Sequence, residues 1–524
     1  MKPYFLVKYS VLDGFEIPIS GDRVDESNYL SVIVGKNGSG KSRVLYNIAM
    51  SIAINSSLKW YGDEASGDYQ FYNLRSFFWE KNYLPKLIGV SYESNGEKSL
   101  FWPCGESKQD CSYRYINKTP PANIICISSS FFHKFPSTNE WPLSERPLRK
   151  NDEDIYINLC MTEINKKNGY HGGRGSNVFG KGLMKSLLMN KDSLSNTLKM
   201  LRNYGGYDGV DVSFCFNDQL HLFKLNEYNY SVEDFRDSLN SMDFRDLNIS
   251  DEESCEIMNK IIIFMELVNY KELLKDERFH QEAEEIDYIF TFQHQFKRKP
   301  HGVNMSFFVD EKGENSSLSD ELRELVCYFN GYGLLTVKDV SFFKSSMSIP
   351  LYSLSSGELN VLTTLTLINS EIKDSSLILI DEPEINLHPK WQEEIIPTLL
   401  NSFSHISGCH FIIATHSPLI AASIKENNSS VVIIGDNRND TIILPGSKIK
   451  GQSSDFQLFY TLKHPGPHNE YLIRKLLTII AKRKNGMDIS HEDVLFINDV
   501  SDLLIDADEG DKVKYLLAQA LALI

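Results

Sequence analysis

The sequence predicts an α/β fold. It is a mixed sheet carrying a phosphate-binding loop, with an antiparallel β-layer, a large mainly helical insertion and a small C-terminal α-rich segment. Three observations predict it. Residues 29–34 (YLSVIV) form an apolar run that leads into the glycine-rich stretch GKNGSGKS at 35–42, and a helical pattern follows from Arg43 to about Met50. Two distant apolar runs, 377–380 and 410–414, each end in ionisable residues, as central strands do at a ligand-binding edge. Short turn-flanked runs at 86–92, 99–102, 112–116 and 124–128 read as an antiparallel layer.

A chain of 524 residues has room for several domains. Its 42% hydrophobic and 24% charged content is ordinary for a globular protein, so a sizeable core is expected. A net charge of −16 excludes a protein that coats nucleic acid with its whole surface, though not one basic groove on an acidic body. No apolar span reaches the roughly 18 residues of a membrane helix, and the N-terminus lacks a signal-peptide pattern, so a cytoplasmic protein is expected. The eight cysteines include no CxxC pair, which points to reduced thiols rather than a zinc site.

In chain order, residues 1–135 read as the first half of the α/β core. Residues 136–304 are the insertion. Its first part, to about 180, is rich in Pro, Asn, Gly and Ser and reads as an extended loop with a mobile tract over 169–180. The remainder is mostly helical in pattern, with Leu183, Leu187 and Leu188, then Leu198, Met200 and Leu201, then Ile257, Ile261, Phe264, Met265 and Val268 at helical spacing. The basic cluster Lys297, Arg298, Lys299 and His301 reads as a solvated loop. Residues 305–445 hold the second half of the core, including a helix over 319–329. Residues 446–524 carry helices over 468–483 and 512–523 and read as an interaction segment.

The candidate site residues follow from the chemistry that phosphate and its counter-ion demand. Glycines let a loop aim several backbone N–H groups at one anion, and the following helix adds the positive end of its dipole. Gly35, Asn37, Gly38, Ser39, Gly40, Lys41, Ser42 and Arg43 are assigned to this cradle; Lys41 reaches the β- and γ-phosphates and Ser42 a Mg²⁺ ion. Asp381 and Glu382 end the run LILI and are costly to bury unless a metal or hydrogen bonds compensate them. Asp381 is assigned to Mg²⁺, and Glu382 is assigned to polarise the attacking water. His416, after the run HFIIA, is placed to contact the γ-phosphate and orient that water. Ser355, Ser356, Gly357 and Glu358 open a further apolar helix; alone, Ser355 would be an ordinary N-cap.

Together these motifs resemble the ABC-type ATPase head. Residues 35–42 match Walker A, 354–358 the signature motif, 377–382 Walker B and His416 the switch histidine. Residues 386–389 (NLHP) resemble the D-loop of RecF-like and OLD-like ATPases. Ser356 stands where many relatives have glycine and Glu358 where many have glutamine. No Q-loop glutamine is identifiable, and Tyr9 and Phe15 are weak candidates for stacking on adenine. Residues 127–135 (ISSSFFHKF) and 198–207 (LKMLRNYGGY) look like segments of the PtuA-type ATPases of Septu and retron anti-phage systems.

The resemblance implies ATP and Mg²⁺ as cofactors and slow, regulatory hydrolysis. It also implies heads that dimerise around ATP, with the signature of one copy capping the nucleotide of another. As partners it implies an HNH-type nuclease and, in retron versions, a reverse transcriptase with its RNA–DNA product; no membrane is involved. Two other readings stay open. One is an OLD-type ATPase fused to a degenerate TOPRIM nuclease, with Asp506 and Asp508 as metal-binding carboxylates. The other is a RecF-like DNA-repair ATPase.

Overall fold

A computed structural model describes residues 3–57, 70–73, 89–103, 112–116, 119–130, 135, 155–159, 174–188, 191–216, 236–237, 251–267, 303–308, 315–316, 320–332, 334–345, 347–435, 440–504 and 511–523. The basic cluster at 297–301, Asp506, Asp508 and most of the 131–135 segment lie outside them. The chain divides into two compact units: residues 1–160 with 372–524, and residues 161–371.

Among the described residues the first unit contains two sheets. One, among the described residues, has seven strands in the order Ile442–Pro445, Ser429–Ile434, Tyr29–Gly35, His410–Thr415, Leu377–Asp381, Ile124–Ser128, Tyr156–Asn158. All neighbours pair in parallel except the first two, giving the expected mixed sheet. The strands 29–35, 377–381 and 410–415 are buried along their whole length, as their mainly apolar runs require of parallel strands covered on both faces. The second sheet is the expected antiparallel layer, in the order Phe15–Pro18, Phe5–Leu12, Val90–Ser94, Glu97–Pro103, Ser112–Ile116, Gln70–Asn73.

The helix Lys41–Ser57 is the shared core of these sheets. Its Val44, Leu45, Ile48 and Ile52 cluster with Val7, Tyr92 and Phe101 of the antiparallel layer and with Ile33, Leu379 and Ile412 of the parallel sheet. Each such side chain taken from water contributes about 1.5–3 kcal/mol. The helix is longer than the pattern to Met50 implied, because Ile52 and Ala53 continue its buried face.

A buried histidine stitches the two sheets together. His410 opens a parallel strand, and its Nδ1 accepts the backbone N–H of Val7 in the antiparallel layer at 3.0 Å. The ring proton therefore sits on Nε2, 2.8 Å from Ser31 Oγ, which in turn donates to Ile19 O at 2.7 Å.

The C-terminal part of this unit is helical, but with more helices than its apolar pattern showed. Ser454–Tyr460 and His491–Leu503 join Glu470–Lys484 and Lys512–Leu521 around Phe459, Leu476, Ile480, Phe496 and Leu517. The helix at 491 is started by a capping box, Ser490 with Asp493, rather than by a dense apolar stripe. The helix Pro418–Ala422, just after His416, packs on Ser454–Tyr460.

The second unit departs from the helical expectation in one respect. Helices Arg174–Leu188, Lys191–Gly205, Asp251–Leu267, Asp320–Gly331 and Ser356–Asn369 are present. They accompany a five-stranded antiparallel sheet of Asn315–Ser316, Val303–Phe308, Gly209–Phe216, Leu335–Lys344 and Met347–Pro350. Val210, Val212 and Phe214 alternate with Asp211 and Ser213, a two-residue period that places the apolar set in the core. The tract expected to be mobile is, from 174 on, a helix. Its Gly180 and Gly182 serve close packing: a Cβ would come within 2.6 Å of Val337 and 2.5 Å of Leu367.

Burial holds the His410 ring neutral, with its pKa lowered to about 3. An unfolded histidine titrates near 6.5, so between about pH 6.5 and 3 the unfolded chain binds a proton that the folded chain refuses. Stability is therefore expected to fall as pH drops through that window. Urea unfolding midpoints measured from pH 7.5 to 5.5 should decline, and His410→Gln should show a flatter decline from a lower starting value.

Candidate functional site

The register of the parallel sheet assembles the site. Ile33, Ala414, Asp381 and Ser128 form one row across four adjacent strands. One or two residues past this row come the glycine loop, Glu382, His416 and Ser129. Residues far apart in the chain thus meet at the carboxyl edge where ligands of parallel sheets sit.

The loop itself is tightly turned. Gly38 and Gly40 have φ of +78° and +102°, in the region that favours glycine. Gly35 has no room for a side chain: a Cβ would lie 2.8 Å from Ser39 Oγ and 2.9 Å from the Ile434 carbonyl. The Ser39 hydroxyl is buried without a hydrogen-bond partner. An orphaned donor inside a glycine cradle fits a phosphate oxygen.

Lys41 is only 4% exposed. Its Nζ donates to Gly35 O at 2.9 Å and Lys36 O at 3.1 Å, and lies 3.1 Å from His416 Nδ1. Burial lowers its pKa to about 8, while Glu384, Glu382 and Asp381 act to raise it. The Ser42 hydroxyl donates to Asp381 Oδ1 at 3.0 Å. Asp381 is 3% exposed, and burial pushes its carboxyl up to about 7 against the opposing Ser42 hydrogen bond. A buried carboxylate beside a hydroxyl is the hard-oxygen pair that suits Mg²⁺, which is commonly held by one or two protein oxygens with phosphates completing its shell.

His416 faces both halves of the site. Its Nε2 lies 3.7 Å from Glu382 Oε1. Burial, then the neighbouring Lys41 charge, lowers its pKa to about 4, so the ring is neutral at pH 7 and the contact with Glu382 is not an ion pair. Glu382 adopts φ +51° and its N–H donates to Ala414 O at 2.9 Å. A non-glycine residue held this way carries on the order of 1 kcal/mol of backbone strain, a pattern found at functional sites.

Other assigned residues stand elsewhere. Arg43 Nη1 is 2.8 Å from Asp13 Oδ1 and holds the tip of the hairpin that carries Tyr9 and Phe15, both exposed. Ser355, Ser356, Gly357 and Glu358 belong to the 161–371 unit. There Ser355 caps the helix Ser356–Asn369: its Oγ accepts Glu358 N at 3.2 Å, and Glu358 Oε2 accepts Ser355 N at 3.0 Å. The capping commits Ser355 and Glu358 to each other and leaves Ser356 and Gly357 at the helix's first positions.

One residue of the site escaped sequence reasoning. Glu384 Oε1 accepts the backbone N–H of His416 at 2.6 Å. Burial raises its carboxyl above the ordinary range, against that hydrogen bond. The available signal was a third acid within DEPE, two residues after Glu382. The edge beside Asp381 carries Ser128, Ser129 and Ser130, with Ser129 N donating to Asp381 O at 3.3 Å.

The fold and its site resemble an ABC-type ATPase head, and the comparisons support a likeness to RecF-like and OLD-like ATPases. Residues 236–422 match the family model AAA_21, described as "AAA domain, putative AbiEii toxin, Type IV TA system". The chain is similar to "Retron Vc95 probable ATPase" of Vibrio cholerae, 26% identical over 167 residues that make up 30% of this chain and 31% of the relative. It is similar to "Endonuclease GajA" of Bacillus cereus, 26% identical over 290 residues, 48% of this chain and 41% of the relative. "Septu protein PtuA" of Bacillus mycoides is 35% identical over 74 residues, 14% of this chain and 10% of the relative. The aligned stretches thus span between a tenth and two fifths of these relatives. No described helix is long and apolar enough to cross a membrane.

Lys41→Ala is expected to abolish nucleotide binding, read by fluorescence of a labelled ATP analogue; retained affinity would contradict the cradle assignment. Gly35→Ala should cost about 1–3 kcal/mol of stability in addition to affinity, because the Ile434 carbonyl cannot yield as a side chain would.

Proposed function

We propose that this chain is the ATP-binding and hydrolysing regulatory subunit of a cytoplasmic anti-phage defence complex, whose heads dimerise around ATP to control a partner nuclease. The observation that carries the proposal is the convergence of Lys41, Ser42, Asp381, Glu382 and His416 at one sheet edge, while Ser356 and Gly357 sit at a helix start in the other unit.

In this reading the glycine loop and Lys41 hold the triphosphate. Ser42 and Asp381 would hold Mg²⁺, which supplies charge neutralisation at the phosphate oxygens. Glu382 accepts a proton from the attacking water. Neutral His416, its Nδ1 accepting from Lys41, donates through Nε2, so it orients the water without adding a charge of its own. Ser356, Gly357 and their helix N-terminus cap the nucleotide of a second copy. Hydrolysis works as a switch that changes assembly.

The likeness to retron and Septu proteins supports a defence role; in this reading the partners are an HNH-type nuclease and, in a retron setting, a reverse transcriptase with its RNA–DNA product. The C-terminal helices fit as the docking segment, since the helix after His416 packs directly on them. The likeness to GajA favours a second reading, an ATPase fused to its own nuclease. Metal-dependent DNA cleavage by the pure chain, lost on Asp506→Ala, would establish it.

Glu382→Gln should trap ATP. Sedimentation of this variant is expected to show a larger species with Mg·ATP than without nucleotide. An unchanged assembly state would overturn the proposed dimerisation.

A further inference from the structure

We infer that Glu384 and Gln392 are positioning residues: Glu384 holds the backbone N–H of His416 and Gln392 holds the Ser417 side chain next to it, so that together they tie His416 to the turn at 386–388. This rests on the ATPase reading of the site.

The clamp is visible atom by atom. Glu384 Oε1 accepts His416 N at 2.6 Å. Gln392 Oε1 accepts the Ser417 hydroxyl at 2.6 Å, while its Nε2 donates to Leu387 O at 3.0 Å. Both ends of the Gln392 amide are used with the correct polarity, which fixes its orientation. Ser417 Oγ is itself the N-cap of the next helix, accepting Leu419 N at 3.2 Å and Ile420 N at 3.3 Å. The hydroxyl is thus both donor and acceptor and cannot rotate away cheaply.

The clamping segment is itself stiff. Ile385 N donates to Glu382 O at 3.3 Å and Leu387 N to Glu384 O at 3.0 Å, and Asn386 takes φ +64° between them. His388 caps the helix Pro389–Ser402, on which Gln392 rides. Asn386 and His388 are exposed. A push on this turn therefore reaches His416 through two side-chain hydrogen bonds, without passing through the nucleotide. The group that receives it is the ring 3.1 Å from Lys41 and 3.7 Å from Glu382.

The clamp at 384 needs an acceptor oxygen; the charge of Glu384 acts separately, on Lys41. Glu384→Gln keeps that oxygen and Glu384→Ala removes it. Steady-state kinetics of the full chain should show kcat lowered about 10- to 100-fold in Glu384→Ala and in Gln392→Ala with KM for ATP little changed, and restored toward wild type in Glu384→Gln. Amide exchange of the peptide holding His416, measured without nucleotide, should accelerate in Glu384→Ala and not in Glu384→Gln. The clamp is overturned if Glu384→Ala keeps its kcat, if Glu384→Gln is as impaired as Glu384→Ala, or if the exchange rates do not differ. A wild-type chain without ATP hydrolysis would remove the ATPase reading alone, because the exchange measurement judges the clamp independently.

Discussion

The structure turns on a buried ammonium. Lys41 is taken almost wholly out of water at the ends of three central strands, which costs several kcal/mol unless partners compensate. Two loop carbonyls and a histidine nitrogen do so directly, and Asp381, Glu382 and Glu384 do so through their charge. Each partner imposes a condition on the fold. The carbonyls require the glycine turn, and that turn requires Gly35 to have no Cβ. The histidine requires strand 410–415 to lie between the loop strand and the Asp381 strand, in register with both. The carboxylates require the strained conformation at Glu382. The same arrangement shifts the site's titrations in opposite directions. Lys41 and His416 are pushed down and Asp381 up, because burial disfavours whichever form carries charge.

Much of this was legible in the sequence, for a physical reason. A phosphate cradle, a pair of acids ending an apolar strand and a histidine ending the next are local patterns, and local patterns survive in one dimension. What stayed hidden depends on pairing between distant segments. The strand Gly209–Phe216 needs Val303–Phe308 and Leu335–Lys344 beside it, so its alternation was overshadowed by the helical stretches around it. Gly180 and Gly182 resembled loop residues because composition does not tell a turn from a close contact with Val337 or Leu367. Glu384 gave only a third acid in a run of acids; its partner is a backbone N–H more than thirty positions away. The signature serine Ser355 could be read both as a cap and as part of a nucleotide site, and the structure displays the cap.

The site is also a junction. Within one unit, the segment after Asp381 holds the backbone at His416, and the helix that follows His416 packs on the C-terminal helices. In the proposed function a change at the nucleotide's γ-phosphate would have a short mechanical route to the C-terminal helices, where the proposed partner would dock. What this unit does not contain is the helix start at Ser356 and Gly357, which belongs to residues 161–371. The proposed function needs that helix to come from a second copy.

Mixing two disabled chains tests that claim most directly. Lys41→Ala removes the nucleotide cradle but keeps the signature; Ser356→Arg blocks the signature but keeps the cradle. Each alone should hydrolyse ATP at background rate. If the site is shared between copies, an equal mixture regains part of the wild-type rate, since one site in a mixed pair joins the intact cradle to the intact signature. A mixture that stays at background, or a Ser356→Arg chain that is fully active by itself, would contradict the account.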